Sequence, residues 1–181
     1  MMDFSTYNSG YANQLFFAAF ETSLGWFGLS ATKKGISQIS LPRPSEEETL
    51  VALNLCSTAV RTSVEFLGSS ISRIQNYCRG QYVTFDEALD LSVGSTFEQQ
   101  VWYKCRTIPY GQTRSYGWLA AQLGRPKAAR AVGNALGKNP VPIIIPCHRV
   151  IAANNRIGGF SGGIELKKRL LDTEGITPFH N

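Results

Sequence analysis

From Asn139 to Cys147 the chain reads NPVPIIIPC, with prolines at 140, 142 and 146. Each proline removes a backbone donor and fixes φ, so neither a helix nor a central strand can run through the segment. The composition predicts a rigid, extended, apolar lead, anchored in a core by Ile143, Ile144 and Ile145, that delivers Cys147 and His148 at its end. A group held with so little freedom loses less entropy when it reacts. A thiol in this position is a packing group, a metal ligand or a nucleophile, and the Cys-His pair alone leaves all three open.

If Cys147 reacts, it must do so as a thiolate, and apolar burial works against that form. It then needs a base. His148 is adjacent, but neighbours in an extended chain face opposite sides, which favours a bridging water over direct contact. An acid further along the chain would have to orient the imidazole.

The chain has 181 residues, 43% of them hydrophobic, enough for one large domain or two small ones with an ordinary core. No apolar run approaches the ~20 residues of a membrane-spanning helix, and the N-terminus lacks the basic and then apolar start of a signal peptide. The expected location is the cytoplasm, or the nucleus in a eukaryote, with no membrane partner. Cysteines at 56, 78, 105 and 147 form no CxxC pair, so no zinc site is expected, and the first three read as small buried hydrophobes. Residues 1–90 carry 6 Lys+Arg against 9 Asp+Glu, or −3, whereas residues 91–181 carry 12 against 4, or +8. The second half is the candidate polyanion binder, a solvated basic face being the alternative.

QLFFAAF, WFGLSA and ISQISL, separated by short turns, predict three antiparallel strands. The acidic start of EEETLVALNLCSTAVRTSVEFL predicts one helix over this sheet, with Val51, Leu55, Ala59, Thr62 and Phe66 on its apolar face. A second short helix holds Ile71, Ile74 and Tyr77, and YVTF adds an edge strand. The change of charge sign near LSVGS places a boundary that gives domains 1–92 and 93–181. Beyond it, Ser95 and Glu98 form a capping box for a helix whose Phe97, Val101, Cys105 and Ile108 share a face until Pro109. RSYGWLAAQLGRPKAARAVGNALGKN breaks at Gly124 and Pro126 into two short helices, a helix-turn-helix pattern. In the second, Ala128, Val132 and Leu136 face inward, while Lys127, Arg130 and Asn134 form a basic outer face beside the small Ala131 and Gly133.

Taken together, STFEQQVW from Ser95, IPYGQTRSYGWLA from Ile108, GRPKAARAVGNALGKNP from Gly124, IPCHRVI from Ile145 and GGFSGG from Gly158 resemble, in order and spacing, the O6-alkylguanine-DNA alkyltransferases. The resemblance is dense over residues 94–175 and extends to residues 1–93 only in general layout. It implies an α+β chain: a small ribonuclease H-like N-terminal sheet with a helix, then a mostly helical winged-helix or helix-turn-helix domain.

The resemblance also implies roles. Cys147 accepts the alkyl group, His148 is its water-linked base, Glu174 orients that base, and Asn139 ties the helix-turn-helix to the active-site segment. Arg130 enters the base stack in place of a flipped nucleotide, with Ala129, Ala131 and Gly133 permitting close minor-groove approach. Tyr116 hydrogen-bonds the lesion base. Phe160 and Ser161 of the GGFSGG loop, with Pro142 and Val150, complete the substrate contacts. The implied partner is duplex DNA carrying O6-alkylguanine, extrusion of the base being needed because O6 lies at the pairing edge. No cofactor is implied, a monomer is expected, and a thioether product means one reaction per molecule. Two alternatives differ in class: a lesion binder resembling the alkyltransferase-like proteins, which carry tryptophan at the cysteine position, and a DNA-binding regulator with an inert thiol.

Overall fold

The computed structural model describes residues 15–55, 60–61 and 64–176, and the chain divides into two compact units, Met1–Leu91 and Ser92–Asn181. The architecture is α+β.

In the first unit β1 (Phe16–Thr22), β2 (Gly25–Thr32) and β3 (Gly35–Arg43) form the expected antiparallel meander. The period of two puts Phe27, Leu29 and Ala31 on one face of β2, each 0% exposed. On the other face Gly28 lies directly under helix α1 (Glu46–Leu53); a Cβ there would stand 2.7 Å from Leu53 Cδ1, so only glycine lets the helix down onto the strand. Ser45 starts α1 by accepting the Glu48 N–H, and Glu46, Glu47 and Glu48 complement the N-terminal end of its dipole.

The single long helix predicted from residue 46 onward does not form. α1 stops at Asn54, which takes a left-handed conformation (φ 45°) that asparagine tolerates. The chain then adds β4 (Val60–Arg61) parallel to β1 before helix α2 (Val64–Cys78) begins, so the sheet, ordered β3-β2-β1-β4, is mixed rather than antiparallel. The apolar period misled: Val51 is 74% exposed, and Leu53, off the predicted face, is the buried residue. Ala59 and Thr62 lie outside the described residues, as does the side chain of Phe66. α2 does carry Ile71, Ile74 and Tyr77 inward. YVTF is not a strand; the contact with the sheet comes later, where Leu89 bridges Ile36 and the Ile36 N–H donates to Ala88 O.

The second unit opens with α3 (Thr96–Arg106), whose capping box between Ser95 and Glu98 is fully formed. Val101, Cys105 and Ile108 are buried as expected. After β5 (Arg114–Ser115) come α4 (Tyr116–Gln122) and α5 (Ala129–Gly137), the two short helices separated at Gly124 and Pro126. Trp102 Nε1 donates to Ala135 O at 2.8 Å and pins α3 to α5. A 3-10 turn (Cys147–Arg149) leads into β6 (Val150–Ile151), which pairs in parallel with β5, and α6 (Ile164–Thr173) follows. No helix among the described residues is long and apolar enough to cross a membrane.

NPVPIIIPC departs from its expected extended form. Pro142 and Ile145 bridge around a tight turn at Ile143 and Ile144, and Ile143 has φ 75°, a left-handed value rare for a β-branched residue. Val141, Ile143, Ile144 and Ile145 are at most 2% exposed. Burying four such side chains, at about 1.5–3 kcal/mol each, outweighs the ~1–3 kcal/mol of one strained residue. The anchoring inferred from the three isoleucines therefore holds, through a buried turn instead of a straight lead.

Candidate active site

Three separate stretches meet around Cys147. The first is Asn139, just past α5. Its Nδ2 donates to Ile145 O at 2.9 Å and to Cys147 Sγ at 3.1 Å, and its Oδ1 accepts from the Val141 N–H at 3.0 Å. One amide thus holds both ends of the proline turn and touches the sulfur.

The second is the 3-10 turn itself, started when the Arg149 N–H donates to Pro146 O at 2.9 Å. Cys147 is 5% exposed and His148 0%. The imidazole turns to the third stretch: His148 Nε2 lies 2.7 Å from Glu174 Oε1, and Glu174 caps the C-terminus of α6. Glu174 is shared. Arg149 Nε donates to Oε2 at 2.8 Å and Oε1 at 3.1 Å, Arg149 Nη2 to Oε1 at 3.0 Å, and the Gly111 N–H to Oε2 at 3.1 Å. Arg149 is itself fixed by donating from Nη1 to Ile108 O at 2.7 Å.

The β5–β6 pairing sets Arg114 and Ser115 against Val150 and Ile151, which brings Tyr116 alongside the segment that follows Cys147. Tyr116 donates its hydroxyl to Gly159 O at 3.1 Å. Gly158, at φ 69°, is where this loop crosses the tyrosine: a Cβ there would sit 3.0 Å from its ring. Lys167 reaches in from α6, fully buried, and donates to Val150 O at 2.6 Å and Gly159 O at 3.2 Å, with its ammonium 5.9 Å from the Tyr116 ring centre. A pocket of about 410 Å3 opens here, lined by Tyr116, Gly133, Leu136, Gly137, Cys147, Gly159, Phe160 and Ser161.

The electrostatics follow from burial and partners. Burial pushes the Cys147 thiol up, opposed by the Asn139 hydrogen bond and the charge of Lys167. Burial pushes His148 down, against the pull of Glu174. For Glu174 burial acts upward, but the hydrogen bonds and charges of His148 and Arg149 prevail and hold it at about 2. Lys167 is brought down by burial to about 8. Tyr116 is raised, by burial first and then by the nearby Cys147. With Glu174 ionised, the short contact requires His148 to donate from Nε2, which makes Nδ1 the basic nitrogen.

Of the residues singled out in the sequence, Cys147, His148, Glu174, Asn139, Tyr116, Gly133, Phe160 and Ser161 are gathered here. Arg130 and Ala131 are exposed on the outer face of α5 and Ala129 is half-buried at its start, away from the pocket lining. Pro142 and Val150 do not line the pocket: Pro142 is buried in the turn, and Val150 is 0% exposed with its carbonyl taken by Lys167. Lys167 and Arg149 were missed. The available signals were a lysine in register with Leu170 and Leu171 on the buried stripe of α6, and an arginine between a buried histidine and a buried valine.

Residues 96–176 match the family model for the DNA-binding domain of 6-O-methylguanine DNA methyltransferase. The methylated-DNA-protein-cysteine methyltransferase of Methanosarcina acetivorans is 34% identical over 161 residues, covering 89% of this chain and 99% of that protein. The protein of the same name from Mycobacterium tuberculosis is 50% identical over 105 residues, covering 58% of this chain; the match spans only 63% of the relative's length. The crystal structure of Mycobacterium tuberculosis OGT in complex with DNA matches with a TM-score of 0.74 at 35% identity, covering 88% of this chain and 92% of that one.

Proposed function

Because the chain belongs to the 6-O-methylguanine DNA methyltransferase family, we propose that it repairs duplex DNA by moving the alkyl group of O6-alkylguanine onto its own Cys147. The observation that carries this reading is the thiol beside the pocket, hydrogen-bonded by Asn139 and followed by a buried His148–Glu174 pair.

A water joins His148 to the thiol, and the Cys147 proton passes through it to Nδ1. The thiolate attacks the carbon bonded to O6. The sulfur–carbon bond forms as the carbon–oxygen bond breaks, and the released electron pair stays on guanine, whose charge the Tyr116 hydroxyl helps to neutralise. The Asn139 amide and the Lys167 ammonium support the thiolate. Phe160 packs on the base and Ser161 faces O6, both from the pocket rim.

A stacked guanine cannot present its O6 substituent to this pocket, so the lesion is flipped out, at a few kcal/mol. Arg130, exposed on α5, fills the vacated place from the minor groove, and Ala129, Ala131 and Gly133 keep that helix thin enough to approach. The product is a thioether, a very poor leaving group. Among the described residues the pocket lining holds no second cysteine to receive the alkyl group, which supports a single turnover. O4-alkylthymine is a second substrate on the same chemistry.

The finer fold reading has similar support. The order β3-β2-β1-β4, with β4 parallel to β1, suits a ribonuclease H-like first unit, and the β5–β6 pair beside α4 and α5 suits a winged helix. The protein acts as a cytoplasmic monomer without a cofactor. Incubation with O6-benzylguanine followed by intact mass measurement tests the central step. A benzyl adduct in the wild type and none in Cys147→Ala is expected; no adduct, or the same adduct in both, overturns it and returns the chain to a lesion binder or a regulator.

A further inference from the structure

A carboxylate hydrogen-bonded to a buried imidazole raises the imidazole's affinity for a second proton, and an imidazole already protonated cannot take a proton from a thiol. In this protein the carboxylate is not left to the histidine. Glu174 receives three contacts from the Arg149 guanidinium and one from the Gly111 N–H. The guanidinium is in turn locked onto Ile108 O and lies 5.7 Å from the Tyr110 ring centre.

We propose that Arg149 is a positioning residue: by balancing the charge of Glu174, it leaves His148 neutral and oriented, so that His148 can accept the Cys147 proton. The inference rests on the alkyl-transfer reading above and adds a role for the arginine inside the same site.

The groups that face His148 are Glu174 and Lys167 from α6, and Cys147 and Arg149 from its own turn. Burial favours the neutral imidazole and Glu174 opposes this, while Arg149 and Lys167 both act against a further positive charge. Removing Arg149 leaves Glu174 as the dominant neighbour. The folded-state titration of His148 then rises. The neutral base becomes scarce below that higher value, so the acid limb of the rate profile moves to higher pH.

Two measurements decide the matter. The chain has two histidines, so an imidazole-labelled His180→Asn variant shows His148 alone by NMR. His148 is expected to be neutral at neutral pH, with its proton on Nε2, and to titrate below the ordinary imidazole range; titration at or above that range overturns the proposal without any change at Arg149. The pH dependence of benzyl transfer is then compared among wild type, Arg149→Gln and Arg149→Lys. The acid limb is expected to move up by about one pH unit or more in Arg149→Gln, a tenfold loss at a pH below it. In Arg149→Lys it should stay near the wild-type position even if the rate falls. A uniform fall in Arg149→Gln with an unmoved profile makes Arg149 a packing residue and also overturns the proposal. If Arg149→Gln does not fold, the same comparison is made with Arg149→Met, which keeps most of the packing volume and removes the charge. If the wild type forms no adduct at any pH, the alkyl-transfer reading falls, whereas the state of His148 is read independently.

Discussion

The two units bury different kinds of polar group. In the first, the polar residues buried as a whole among those described are hydroxyls, Ser30, Ser40, Thr49 and Ser70, and the one carboxylate tucked in beside them, Glu87, pairs with the half-exposed Arg73 at 3.2 Å. In the second they are all ionisable: His148, Arg149, Lys167 and Glu174. A buried hydroxyl is satisfied by one hydrogen bond, as where Ser40 Oγ accepts from the Gly28 N–H at 2.7 Å. A buried ionisable group costs several kcal/mol to desolvate and is a poor way to stabilise a fold. The contrast supports the proposal above, in which the second unit accepts that cost to hold reactive groups in place and the first serves as support.

Breaking the contrast on its costly side has the largest effect. His148→Ala should lower the rate of benzyl transfer by about 100-fold or more while leaving the fold intact, as followed by adduct formation over time. An unchanged rate would make the second unit's buried charges structural after all. The acid stability of the same cluster comes next. Glu174 is held below its ordinary value, so its contribution is present above about pH 4.3, the unfolded value, and is lost as pH falls toward about 2. The unfolding free-energy gap between wild type and Glu174→Gln should therefore shrink by about 2.5 kcal/mol between pH 5 and pH 2, measured by urea titration.

A smaller effect separates the pocket from the outer face of α5. Arg130→Ala should slow repair of an alkylated duplex by about tenfold and leave reaction with free O6-benzylguanine unaltered, since a lost stack insertion affects base extrusion and not the thiol. Equal losses in both assays would place Arg130 in the chemistry or the packing. The smallest effect belongs to the first unit. Ser40→Ala should lower stability by about 1 kcal/mol without any change in transfer rate; a change in rate would show that the first unit is more than support.

Legibility in the sequence follows the range of the interactions. The capping box at Ser95 and the break at Gly124 and Pro126 are local events, set by residues within a turn of each other, and both could be read directly. The end of α1 could not. Apolar residues continue the helical period past Asn54, and the parallel pairing of Val60 with Phe16 that competes with the helix is invisible along the chain. In the site, the need for an acid behind His148 followed from chemistry, but Glu174 itself was reached only through the resemblance. Arg149 and Lys167 escaped because charged residues near a helix face or a loop are read as solvated unless a buried partner is known, and their partners are backbone carbonyls and Glu174.

The Glu174 contact also bears on synthesis of the protein. It closes over 26 residues from His148, and the Gly111 contact to the same carboxylate over 63. A ribosome adding ~5–20 residues per second makes the histidine about one to five seconds before the glutamate. On the proposed mechanism, the nascent chain throughout that interval carries its cysteine without the acid that aligns the base. The thiol is then made unarmed and becomes competent only when α6 and Glu174 dock.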